Sequence, residues 1–196
     1  PEDLTLMSRA ACTIICLMLN EIEKGTMKWP KPVLTARAAF IAKDPTKLED
    51  ALKYRVLTVL PVVYRKWASL RLNNLEAWVD EWEVEEMYTI KGGAQAAWCV
   101  TALELEHLNC HGITVTGGSA DLQKAFDEIE RDLLYDLLRN GGFPERILRA
   151  YIQIQGDLLV YNAVGQGLGL PYHRPCSIQQ GCPLSMVFMA YLMRPW

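Results

Sequence analysis

Apolar residues recur at helical spacing near the start of the chain, at Leu4, Met7, Ala11, Ile14, Ile15, Met18, Leu19 and Ile22. This predicts an amphipathic helix with Asp3 as its N-cap and Gly25 as its stop. The Trp29-Pro-Lys-Pro32 phrase interrupts the pattern. After it, Thr35-Ala-Arg-Ala-Ala-Phe-Ile-Ala42 suits a strand ended by Lys43-Asp-Pro45, and Tyr54-Arg-Val-Leu-Thr58 a second one. Pro61 can open a helix running through Leu72 toward Trp78. Residues 94–109 read as a further helix, with Ala97, Val100, Leu103, Leu105 and Leu108 among its apolar positions.

A short strand, Ile113-Thr-Val-Thr116, is expected to run through Gly117-Gly-Ser119 toward Asp121. Asp127 then sits in the first turn of a helix whose apolar face is Ile129, Leu133, Leu134, Leu137 and Leu138. Gly141-Gly142 ends it, and Pro144 begins another helix through Ile147, Leu148, Tyr151 and Ile152. Residues 157–164 and 172–178 read as two strands joined over Gly165-Gln-Gly-Leu-Gly169. That glycine run has no helix after it and has Pro171 close behind, so it predicts a hairpin loop and not a dinucleotide site. Pro183 starts a last helix over residues 184–193.

The chain has 196 residues, 51% of them hydrophobic, enough to bury a core. It begins with Pro1 and ends at Trp196 after an apolar run, so it reads as a piece cut at both ends. The longest uncharged apolar run, residues 10–20, is too short to cross a bilayer and lacks the marks of a signal peptide, so no membrane partner is expected. Six cysteines form no C-x-x-C pair and read as reduced core thiols of an intracellular protein, in nucleus or cytoplasm. His107-x-x-Cys110 is a half-site without a second half. The net charge is −3, but it is unevenly spread: residues 28–71 carry ten Lys/Arg against three acids, and residues 76–136 carry fourteen acids against three bases. A basic stretch of this kind can neutralise phosphates whatever the mean charge.

Two phrases carry candidate chemistry: Asp121-Leu-Gln-Lys-Ala-Phe126-Asp127 and Gln179-Gln-Gly181-Cys-Pro-Leu-Ser185. Both resemble motifs of reverse transcriptases, in particular those of non-LTR (LINE-type) retrotransposons. The upstream order agrees with that family: apolar helix, Gly25-Thr-Met-Lys-Trp-Pro30 turn, a strand ending at Lys43, a strand at Tyr54-Arg55, then a helix. The Gly-x-Ser-x-Asp phrase before Phe126 also resembles dinoflagellate-type retroelements. The match is weakest over Tyr88-Thr-Ile-Lys-Gly-Gly93-Ala-Gln-Ala, where the family's Gln has no clear counterpart.

The resemblance implies an α/β (α+β) fold: right-hand polymerase fingers over residues 1–110 and a partial palm over 111–196, mostly helical with a small antiparallel sheet carrying Asp121. It also implies Mg²⁺ (or Mn²⁺) as cofactor, and an RNA template, a DNA primer and dNTP as partners. Extending a primer means attack of a 3′-hydroxyl on an α-phosphate between two metal ions. In the family, Asp121 and the carbonyl of Leu122 hold metal. Phe126 crowds the sugar 2′ position, Lys43 and Arg55 reach the triphosphate, and Gln180-Gly181 lies by template and nucleotide. Gln179 stands where Arg is usual, Met186 where Pro is usual, and Pro175-Cys176 replaces a common Gly. The Tyr-x-Asp-Asp motif would lie beyond Trp196, so the metal site is incomplete and the isolated chain is expected to be inactive. An exposed sheet edge and apolar patch are expected where further palm strands would pair. A group II intron maturase-type reverse transcriptase and a decayed retroelement relic, acting at most as an RNA-binding or interaction module, remain alternatives.

Overall fold

A computed structural model describes residues 6–44, 46, 49, 53–84 and 93–195. The expected cap Asp3, the stop at Pro45 and the segment 88–92 lie outside them. Among the described residues the protein is a mixed α/β structure of seven α-helices and four strands.

Helix α1, Arg9–Lys24, starts where the Ser8 side chain accepts the Ala11 N–H and stops at left-handed Gly25 (φ 82°), whose N–H returns to the last carbonyls. Leu19, Ile22 and Glu23 are buried and Ile15 and Met18 pack partly against the core, while Ile14 of the same apolar stripe stays exposed. Strands β1, Thr35–Ala42, and β2, Tyr54–Val59, form an antiparallel hairpin. Pro61 does open a helix, but the chain breaks at fully buried Leu75 into α2, Val62–Asn74, and α3, Glu76–Trp82. Helix α4, Gly93–Cys110, has no buried residue, and Trp98, Val100, Leu103 and Leu105 are exposed. The apolar positions that predicted this helix therefore do not pack on the described core.

Helices α5, Arg131–Asn140, and α6, Glu145–Asp157, bury Leu134, Leu138, Leu148, Tyr151 and Ile154, but Leu133 and Leu137 of the expected α5 face are exposed. Strand β3, Leu159–Val164, turns over Gly165 (φ 58°) into the short β4, Gly167–Leu168. Helix α7, Ser185–Met193, closes the core through Val187, Phe188 and Ala190.

The sheet corrects the expected antiparallel one. Its order is β2-β1-β3-β4, and β3 runs parallel to β1, pairing Thr35 with Leu159 and Ala39 with Ala163. Parallel pairing needs a long connection, and the stretch between β1 and β3, which holds β2 and helices α2 to α6, supplies it. The sheet joins strands from both halves of the chain and does not carry Asp121. Residues 113–116 form no strand: the whole stretch 111–124 is exposed and no described strand pairs with it. The expected strand over 172–178 is reduced to a single bridge, Tyr172 to Val160, before the chain leaves the sheet.

Burial corrects the expectation of core thiols, which holds for Cys182 alone. Cys12, Cys16, Cys99 and Cys110 are exposed, Cys176 is half-buried, and Cys182 is buried with its thiol 3.0 Å from the Tyr64 hydroxyl. Burial pushes the Cys182 thiol pKa up, which suppresses the reactive thiolate. Maleimide at neutral pH should therefore modify the four exposed cysteines in the native state and reach Cys182 only on unfolding. Peptide mapping that finds native Cys182 modified as fast as Cys12 contradicts this packing.

Candidate functional site

The basic hairpin supplies the first part of the site. Register pairs Ile41 with Arg55 and Arg37 with both Val59 and Tyr161, so these residues share one face of the sheet. Ala36, Ala38, Thr58 and Val160 lie on the other face and are buried. Lys43 sits one residue past β1, its N–H on the Lys53 carbonyl at 2.7 Å, and strand alternation continues it onto the Arg55 side. Both cations are exposed. On the exposed side of α2, Val62, Arg65, Lys66 and Ser69 line a concavity of about 180 Å³, adding two more cations just beyond the C-terminal end of β2.

The second part is the turn that contains Gln180 and Gly181. The Gln180 carbonyl accepts the N–H of Thr58 at 2.9 Å, on the outer edge of β2. Gly181 has φ 119°, and a Cβ there would stand 2.6 Å from the Thr58 carbonyl oxygen. Glycine is required on both counts, conformation and space. The Ser185 hydroxyl donates to the Gln179 carbonyl at 2.9 Å, which fixes the turn to the start of α7.

The third part is the segment 121–130. A helix does not begin at Asp127, as expected, but only at Arg131. Lys124 is left-handed (φ 50°) and its carbonyl accepts from the N–H groups of Asp127 and Glu128, closing a tight turn. The carbonyls of Phe126 and Ile129 are taken by the N–H groups of Ile178 and Ser177 at 2.9 and 2.8 Å. They are thus unavailable for helical bonds, and the helix start is displaced. Asp127 pairs with Arg174 at 3.8 Å and does not serve as a helix-start residue. Phe126 is half-buried and packs against the core.

Two backbone bonds therefore link segments that carry predicted positions, Thr58 to Gln180 and Ile178 to Phe126. Arg55 lies on the strand that meets Gln180 and Gly181, and the segment leading into that turn is bonded to Phe126. Lys43 stands at the far end of the hairpin, beyond the Ala42–Tyr54 pair, whereas Thr58 pairs with Ala38. Asp121 and Leu122 do not join: both are exposed in irregular chain. Among the described residues no group of three or more His, Cys, Asp or Glu is placed to hold a metal ion. A two-metal site needs several carboxylates, and the residues present do not by themselves fit the ions.

Sequence reading missed Arg131, Ser177 and Gln179 as buried polar residues, which are 8%, 3% and 1% exposed. Arg131 stands among acids and reads as an exposed helical charge. Nothing local marks its burial. The chain matches no protein-family model and no curated protein.

Proposed function

We propose that this chain carries the nucleotide- and template-facing part of an RNA-directed DNA polymerase of the retrotransposon type, and that by itself it binds substrates without polymerising. One observation carries the reading. Motif positions far apart in the sequence, on the basic hairpin, the Phe126 turn and the Gln180-Gly181 turn, are joined by two backbone hydrogen bonds, Thr58 to Gln180 and Ile178 to Phe126.

The chemistry of these residues suits substrate holding. Arg55 offers a guanidinium fork and Lys43 a point charge to phosphate oxygens. The Gly181 backbone, bare of a side chain, allows close approach of a base or sugar. Arg65 and Lys66 extend the cationic surface for a template strand. Asp121 supplies one carboxylate and no more, so no nucleotidyl-transfer step is assigned to this chain alone. The isolation of that carboxylate favours nucleic-acid binding without chemistry as the second reading.

Fluorescence anisotropy with a labelled RNA/DNA primer–template tests both. Binding should weaken about tenfold or more in Lys43→Ala/Arg55→Ala, since each lost charge-assisted contact costs at least about 1 kcal/mol. It should also weaken with salt. Unchanged affinity in the double variant removes the hairpin from the site. Mg²⁺-dependent primer extension by the purified chain contradicts the assignment of binding alone.

A further inference from the structure

Arg131 has no carboxylate within ion-pairing distance among the described residues, although it is 8% exposed. A buried guanidinium is costly unless its donors are used. Its Nε–H donates to the Ser177 carbonyl at 2.8 Å and its Nη1–H to the Gln155 carbonyl at 3.1 Å. Gln155 lies in the last turn of α6, whose carbonyls lack helical partners and carry the negative end of the helix dipole. Backbone carbonyls therefore take Nε–H and Nη1–H, while Nη2 is buried with no hydrogen-bond partner among the described residues.

The other acceptor is unusual. Ser177 is left-handed (φ 84°) and 3% exposed. For a non-glycine residue this conformation is strained and persists only where the surroundings over-determine it. Here its N–H is held by the Ile129 carbonyl and its own carbonyl by Arg131. The bend at Ser177 aims the chain so that Ile178 meets Phe126 and, two residues later, Gln180 meets Thr58.

We propose that Arg131 is a positioning residue: it clamps the strained Ser177 bend and thereby places the Gln180-Gly181 turn against β2. Its importance for substrate rests on the functional reading above. The clamp itself does not.

The test compares Arg131→Met and Arg131→Lys, each with Ser177 or Ser177→Gly, by amide hydrogen exchange and by primer–template binding. Arg131→Met should speed exchange at Thr58 and Ile178 by about tenfold or more while Ile154, inside α6, keeps its protection. Arg131→Lys, which retains one donor, should fall between. With Ser177→Gly the bend is no longer strained, and the same substitution should have a smaller effect. Binding should weaken in parallel with Thr58 exchange.

Equal acceleration at all three amides, or none at Thr58, overturns the proposal, as does binding lost without selective exchange at Thr58. Should Arg131→Met fail to fold, Arg131→Lys carries the same comparison. If the unaltered chain binds no primer–template, the functional reading fails while the exchange data still decide the clamp.

Discussion

Replacing Trp67 by Ala should lower the unfolding free energy by about 4 kcal/mol, the range seen when a buried aromatic is truncated. Trp67 is 1% exposed and its ring meets Trp29 at 5.4 Å and Tyr64 at 5.7 Å between centroids. That cluster ties the turn after α1 to α2. The indole also has a polar duty, because its Nε1–H donates to Glu23 at 2.7 Å. Glu23 is itself 4% exposed, pairs with Arg71 and lies 3.8 Å from Arg146. Truncation therefore opens a cavity and withdraws a donor from a buried carboxylate, and both effects have the same sign. Typical domains are stable by only about 5–15 kcal/mol, so a large part of the folded population is at stake. Urea denaturation followed by circular dichroism measures it. Trp67→Phe keeps most of the ring volume and should cost about half as much, mainly through the Glu23 bond. A loss below about 1 kcal/mol in Trp67→Ala would mean that this cluster is not part of the cooperative core.

Gly181→Ala should cost about 3 kcal/mol and detach the turn from β2, since φ 119° and a 2.6 Å approach to the Thr58 carbonyl oxygen penalise any side chain. The obstacle is backbone, not a side chain that can swing away, so the Thr58 to Gln180 bond must lengthen or break. Gly117→Ala is the contrasting case. No atom lies within 4 Å of a Cβ there, and the change should be neutral or stabilise by about 0.5 kcal/mol through the unfolded chain. Thermal denaturation ranks the two, and the Thr58 amide signal reports the local event. A Gly181→Ala protein with unchanged midpoint and an unchanged Thr58 amide would show that the turn does not seat on β2 as described.

Much of the fold is legible in the residues because the signals are local. Helices α1, α5 and α6 repeat their apolar positions about every 3.6 residues, and Gly25 ends α1 because only a residue tolerant of positive φ can turn back there. The strands β1 and β2 and the turn at Gly165 also follow from nearby breakers. The readings that failed needed distant information. Residues 113–116 have strand-like composition, yet a strand exists only where a partner offers a ladder, and no described strand does. Asp127 has the look of a helix start, but the carbonyls of Phe126 and Ile129 are claimed by a segment some fifty residues later. Helix α4 has apolar positions at several turns, and its spacing cannot tell which of them a neighbour covers.

By itself, the sequence determined most of the helices, strands β1 to β3, and the glycines at Gly25 and Gly181. Short-range sterics and periodicity are enough for that. Only the tertiary structure decided that β3 lies parallel to β1, that Gln180 seats on Thr58, that Asp121 stands apart from the other motif residues, and that Arg131 is buried on two carbonyls. Each of these depends on which backbone donors and acceptors remain unpaired after local structure forms, and the partners they find are remote along the chain.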